Sequence, residues 1–122
     1  MPAMLGWKID LNDRAKLLVR FPPRYAETDA DHVTFGREGE APEMPQASEA
    51  TIIGQADDGK GVQALVVALN GSSDRWDGST YHITWSLEPG RKAVESNEVI
   101  AAHGWEPVAG GPSVRLRAEN WP

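Results

Sequence analysis

Short apolar runs separated by polar turns predict β-strands along most of the chain. The strands expected from this alternation are 7–11, 32–36, 51–55, 62–69 and 81–88. The turn 57–61, with sequence Asp-Asp-Gly-Lys-Gly, joins two runs rich in β-branched and aliphatic residues, so it predicts a β-hairpin.

Two short helices are predicted between these strands. Asn12 is placed to cap a helix over 13–20, whose apolar residues recur near helical spacing. Ser96 is placed to cap a second helix over 97–103, which Gly104 would end. The segments 105–108 and 114–118 are expected to close the fold as a hairpin. The predicted class is α+β, a mostly antiparallel sheet with two short helices.

The composition fits one soluble globular domain spanning 1–122. Hydrophobic residues make up 40% and charged residues 25% of the chain. There is no cysteine, so disulfides and thiolate chemistry are excluded. No apolar run approaches the roughly 18–20 residues that span a bilayer, and 1–7 lack the features of a secretory signal. We expect a cytoplasmic protein with no membrane partner.

The net charge of −6 limits the partners. Proteins that bind long nucleic acids usually neutralise many phosphates with a basic surface. An extended nucleic-acid surface is therefore not expected, and a phosphate-bearing substrate would be a small nucleotide or an RNA 3′-end.

Two segments place a histidine and a threonine on the same face of a strand. In 81–88, alternation puts His82, Thr84 and Ser86 on a polar face. The residues on the core face are Tyr81, Ile83, Trp85 and Leu87.

The earlier strand repeats this arrangement. His32 and Thr34 share one face, and Val33 and Phe35 face the core. Two histidines suit the transfer of one proton from a nucleophile and another to a leaving oxygen, and nearby hydroxyls suit phosphate oxygens. The alternative is two surface histidines followed by threonines because threonine favours strands.

These segments resemble the two-histidine (2H) phosphoesterase superfamily, which carries two His-hydrophobic-Thr/Ser strand motifs. The stretches 21–25, 32–36 and 81–97 resemble members associated with RNA ligases, including the cyclic phosphodiesterase part of fungal tRNA ligases. The resemblance implies a compact bilobal fold, His32 and His82 as the catalytic acid/base pair, and Thr34 and Thr84 as phosphate-binding hydroxyls. Which histidine is acid and which is base stays open in the sequence.

Further residues are possible substrate contacts: Tyr25, Trp76, Ser86, Arg91 and Lys92. Simple structural interpretations are also open: Tyr25 would pack against the fold, Trp76 would pack on its own hairpin, and Arg91 and Lys92 would lie in a solvated turn. The remaining tryptophans are interpreted as core or edge packing, and His103 as a helix-end or surface residue. No spacing indicates a metal site or a cofactor.

The sequence thus predicts a metal-independent phosphodiesterase for 2′,3′-cyclic phosphate ends or small nucleotide phosphodiesters. One alternative is a hydrolase of cyclic di- or oligonucleotide signals, as in phage anti-defence members of the superfamily. Another is a non-catalytic nucleotide-binding module.

Overall fold

The α+β class is confirmed in a computed structural model, which describes residues 3–122. The elements in chain order are β1 (Met4–Ile9), α1 (Leu11–Arg20), β2 (Glu27–Thr28), β3 (His32–Arg37), β4 (Glu49–Asp57), β5 (Val62–Ala68), β6 (His82–Leu87), α2 (Glu95–His103), β7 (Glu106–Pro107) and β8 (Ser113–Trp121). No helix within the described residues is long and apolar enough to cross a membrane.

The strands form one antiparallel sheet in the order β2-β6-β5-β4-β8-β1-β3, with β7 also on β4. The hairpin of β4 and β5 is confirmed. β8 joins two parts of the sheet, because its residues 113–115 pair with β4 and its residues 116–121 pair with β1.

The chain also crosses between the two parts from β2, which lies beside β6, to β3, which lies beside β1. β2 pairs with β6, and the amides of Asp29 and Ala30 continue this pairing by donating to the carbonyls of Trp85 and Thr84. Ala30 is buried and has a positive φ of 49°, a conformation uncommon for a non-glycine residue. The chain turns there and enters β3, which pairs with β1 and lies in contact with β6.

Arg14 of α1 fastens this crossing. Its Nε donates to the carbonyl of Ala30 at 2.7 Å, and its Nη2 donates to the carbonyl of Asp29 at 3.3 Å. A charged donor strengthens both hydrogen bonds, and these carbonyls lie at a kink outside the regular pairing. The helix therefore holds the backbone in its strained conformation.

Two apolar clusters fill the fold. The larger one contains Trp7, Phe35, Ile83 and Trp85, and Trp7 meets Phe35 edge-on with ring centroids 5.9 Å apart. The smaller one lies under α2 and contains Val99 and residues of β5. The sheet part formed by β4, β5 and β6 is therefore covered on both faces.

Both predicted helix caps are wrong by two residues. α1 begins at Leu11, and the side chain of Asp10, not Asn12, accepts the amide of Asp13 at 2.9 Å. The opening strand consequently ends at Ile9, before the predicted 11. α2 begins at Glu95, so Ser96 lies inside the helix, where its buried hydroxyl contacts Thr84 instead of capping.

The predicted closing hairpin is also wrong. β7 and β8 do not pair with each other within the described residues; both lie along β4, at 54–55 and 49–51. β4 is nine residues long, and one edge of it has room for both segments end to end. The residues between β7 and β8 follow that edge, and the amide of Val108 donates to the carbonyl of Ile53.

Replacing Arg14 with methionine is expected to lower the free energy of unfolding by about 1–3 kcal/mol, because two charge-assisted hydrogen bonds at the crossing are lost. Urea denaturation checks this. Arg20→Met is the matched control on the same helix, since the exposed Arg20 makes one hydrogen bond, to the carbonyl of Ala109. Equal losses in the two variants would contradict the fastening role of Arg14.

Candidate functional site

The two His-x-Thr segments meet in one pocket. His32, Thr34, His82 and Thr84 all line it, and its cavity volume is about 230 Å³. Other elements complete the wall with the following residues: Met4, Arg75, Ala93, Val94, Asn97 and Trp121.

The chain segment from β2 to β3 brings the two histidines together. Thr28 lies opposite Ser86 in the pairing of β2 with β6, and the amide of Ala30 donates to the carbonyl of Thr84. His32 follows Ala30 by two residues and His82 precedes Thr84 by two residues, so both histidines lie just past this contact. Among the described residues, the bond from Ala30 to Thr84 is the last one between these strands, and the pocket opens where they separate.

A β-bulge follows the motif in β6. Ala64 pairs with Thr84 and its neighbour Gln63 pairs with Ser86, so Trp85 is the extra residue. A bulge shifts the alternation of side chains by one position. Beyond Trp85, the faces predicted by simple alternation are therefore exchanged.

The bulge corrects the prediction for Ser86. Its hydroxyl is fully buried on the opposite face from His82, donates to the side chain of Gln63, and accepts the amides of Arg24 and Tyr25. Leu87 lies on the opposite face from Ser86 and packs in the smaller apolar cluster under α2. Ser86 is not a pocket residue.

β3 carries a bulge at the corresponding position. Gly6 pairs with Thr34 and Leu5 pairs with Gly36, so Phe35 is the extra residue. Each motif is thus a histidine, an aliphatic residue, a threonine and a bulged aromatic residue. The aromatic ring stays in the larger core cluster in both strands.

His82 is held as a neutral ring. Its Nδ1 lies 2.8 Å from the carbonyl oxygen of Thr80, which can only accept, so Nδ1 carries the proton and Nε2 is the basic nitrogen. Burial lowers the pKa of His82, and the charges of Arg75 and His32 lower it further, against the opposing effect of the hydrogen bond to Thr80.

His32 has a carboxylate partner instead. Its Nδ1 lies 3.0 Å from Oδ2 of Asp31, and the same carboxylate accepts from Lys8. Burial raises the pKa of Asp31, but hydrogen bonds from Lys8 and His32 outweigh this and lower it, so Asp31 is ionised at neutral pH. This negative charge compensates a positive charge on the His32 ring when that ring is protonated.

The two threonines differ as well. Thr84 is buried and donates to the carbonyl of Ala93 at 3.2 Å, while its oxygen lies 2.9 Å from the hydroxyl of Ser96. Thr34 is half-buried, and its side chain faces the pocket. Thr34 is therefore the hydroxyl that is available to a ligand. Thr84 could bind a ligand only after losing its contact with Ser96 of α2.

Arg75 is a pocket residue that the sequence analysis missed. Asp77 accepts from its Nε at 3.1 Å and from its Nη2 at 3.2 Å, and the guanidinium also reaches the carbonyl of Thr34 and the side chain of Asn97. The side chain is 10% exposed. Burial raises the pKa of Asp77, but hydrogen bonds from Arg75 and Ser79 outweigh it and bring the pKa to about 2.

Trp121 is the second missed residue, since it was interpreted as packing only. It lines the pocket, and its ring centroid lies 4.6 Å from that of His32 at an angle of 54°. The ammonium of Lys8 lies 4.8 Å from the same Trp121 ring. Its place in the pocket follows from the pairing of β8 with β1, which no local pattern in the sequence reveals.

The other predicted contacts lie outside the pocket. The hydroxyl of Tyr25 donates to Asp57 at 2.6 Å. Arg91 is paired with Asp58 and Glu95, and Lys92 is exposed without lining the pocket. Trp76 does not line the pocket either, but it lines a groove that adjoins it.

No family model, no curated protein and no solved structure matches this chain.

The burial of His82 is expected to make stability depend on pH. The unfolded chain binds a proton at His82 near its ordinary pKa of 6.5, and the folded state resists it because the pKa is lowered. The free energy of unfolding should therefore fall as the pH drops below about 6.5, by at most about 1.4 kcal/mol per pH unit from this group. Urea denaturation between about pH 5 and 7.5 measures this slope.

His82→Gln should flatten the slope, and His103→Gln, at an exposed position at the end of α2, should keep it. An unchanged slope in His82→Gln would show that other groups cause the dependence.

Proposed function

We propose that this protein is a phosphodiesterase that opens 2′,3′-cyclic phosphates, or closely related small nucleotide phosphodiesters, by acid–base catalysis at His32 and His82. The observation that carries the proposal is the meeting of both His-x-Thr segments in one pocket. The different partners of the two rings add to it, because acid–base catalysis needs two groups in opposite protonation states.

The hydrogen bonds suggest a role for each ring. His82, neutral with Nδ1 bound to a carbonyl, is the general base: Nε2 takes a proton from water while the water oxygen attacks phosphorus. His32, next to the Asp31 carboxylate, is the general acid and gives a proton to the ribose oxygen as its bond to phosphorus breaks. The product is a phosphomonoester, and solvent exchange restores both rings.

Arg75 and Thr34 supply the groups that would hold the phosphate. The guanidinium is fixed by Asp77 and Asn97, so little reorganisation is needed when negative charge builds up on the non-bridging oxygens. The hydroxyl of Thr34 provides a neutral donor in the same pocket.

Purified protein with EDTA is expected to hydrolyse 2′,3′-cyclic nucleotides, followed by chromatography of the products. His32→Ala and His82→Ala should each lower kcat by about 10²–10⁴-fold, the usual contribution of one acid or base. His103→Ala is the matched control and should retain activity. Folded wild-type protein without turnover, or variants as active as the wild type, would refute the proposed reaction.

Replacing Arg75 with methionine is expected to reduce kcat/KM for the same substrates by about 10²–10³-fold, because a pre-positioned charge is removed from the pocket. Arg91→Met is the control, since Arg91 is likewise a guanidinium fixed by carboxylate partners, Asp58 and Glu95, but lies away from the pocket. Steady-state kinetics and thermal melting of both variants separate catalysis from stability. A similar fall in kcat/KM in both would mean that Arg75 is only structural.

A further inference from the structure

We propose that the groove next to the pocket binds a second nucleoside, with its base against Trp76, so that the preferred substrate is a dinucleotide or longer. This inference rests on the proposed function of the pocket. The residues that line the groove include Gly36, Arg37, Glu40, Trp76 and Asp77.

The groove continues the catalytic pocket. Met4, Thr34 and Arg75 line both, so a ligand held at the histidines reaches the groove directly past the guanidinium. The pocket volume of about 230 Å³ lies below the roughly 300–1,000 Å³ usual for ligand sites, and the groove adds about 540 Å³. The pocket alone fits the phosphate and its nearest groups, whereas the two together fit a larger ligand.

Trp76 is a fixed, half-open aromatic surface. It is 43% exposed, and its indole nitrogen donates to the carbonyl of Phe35 at 2.8 Å. The ring also packs closely on Gly36, where an added Cβ would lie only 2.8 Å from the indole nitrogen. A ring held in this way stacks on a base without first losing conformational freedom.

The charges of the groove favour a nucleoside over a second phosphate. Arg75 also lines the pocket and is assigned to the phosphate there, so the groove retains Arg37 against the carboxylates of Glu40 and Asp77. A second phosphate would find no excess of positive charge in this wall, while the tryptophan offers stacking to any base.

The experiment compares two ligands: adenosine 2′,3′-cyclic phosphate, and the dinucleotide ApA with a 2′,3′-cyclic phosphate end. Calorimetric titrations use a His82→Ala background, so that turnover does not consume them. The dinucleotide is expected to bind about tenfold more tightly or better, which is the effect of one stacked base. Trp76→Ala should abolish the difference while leaving the mononucleotide within about twofold.

Trp105→Ala is the matched control, because Trp105 is 39% exposed and lines a separate pocket that shares no residue with the site. Trp76→Leu fills the space without an aromatic ring, and it replaces Trp76→Ala in the comparison if the alanine variant is unstable. Equal affinity for the two ligands in the parent, no binding of either, or equal weakening of both by Trp76→Leu would overturn the proposal.

Turnover by the unmutated protein separates the two proposals. Hydrolysis of both ligands with no preference in binding would support the proposed reaction and refute the nucleoside site in the groove. A dinucleotide preference that depends on Trp76, without hydrolysis of either ligand, would support the nucleoside site and refute the proposed reaction.

Discussion

The crossing at Ala30 is the constraint on which the site depends. β3 and β6 lie near opposite ends of the strand order, so a flat sheet would keep His32 and His82 far apart. The chain instead pairs with β6 as far as Ala30, turns through a positive φ, and then pairs with β1. Arg14 holds the two carbonyls at this turn, so α1 supports the site without lining it.

The two motifs of the pocket share a backbone pattern but differ in their chemistry. In each of them a His-x-Thr segment is followed by a bulged aromatic residue, Phe35 in β3 and Trp85 in β6. The hydrogen-bond partners of the two rings differ, because one is a backbone carbonyl and the other is the carboxylate of Asp31. Matching positions in the two motifs therefore place the two rings in different electrostatic surroundings.

Strand alternation predicted the pocket-facing histidines and threonines from sequence, because those residues precede the bulges. It failed for Ser86, one residue beyond a bulge, since a bulge depends on pairing with β5 and leaves no clear local signal. The helix positions were predicted to within two residues, but the capping residues were predicted wrongly. Arg75 and Trp121 were missed because a loop hydrogen-bond network and the pairing of β8 bring them to the pocket.

Charge and burial together set what the site can accept. The chain carries a net charge of −6, yet the residues that line the pocket include Arg75 and no carboxylate. The surface thus disfavours a long polyanion, while the enclosed guanidinium gives a local attraction for one phosphate. The burial that keeps His82 neutral reduces stability in acid, so the same desolvation serves the proposed chemistry and limits the pH range of the fold.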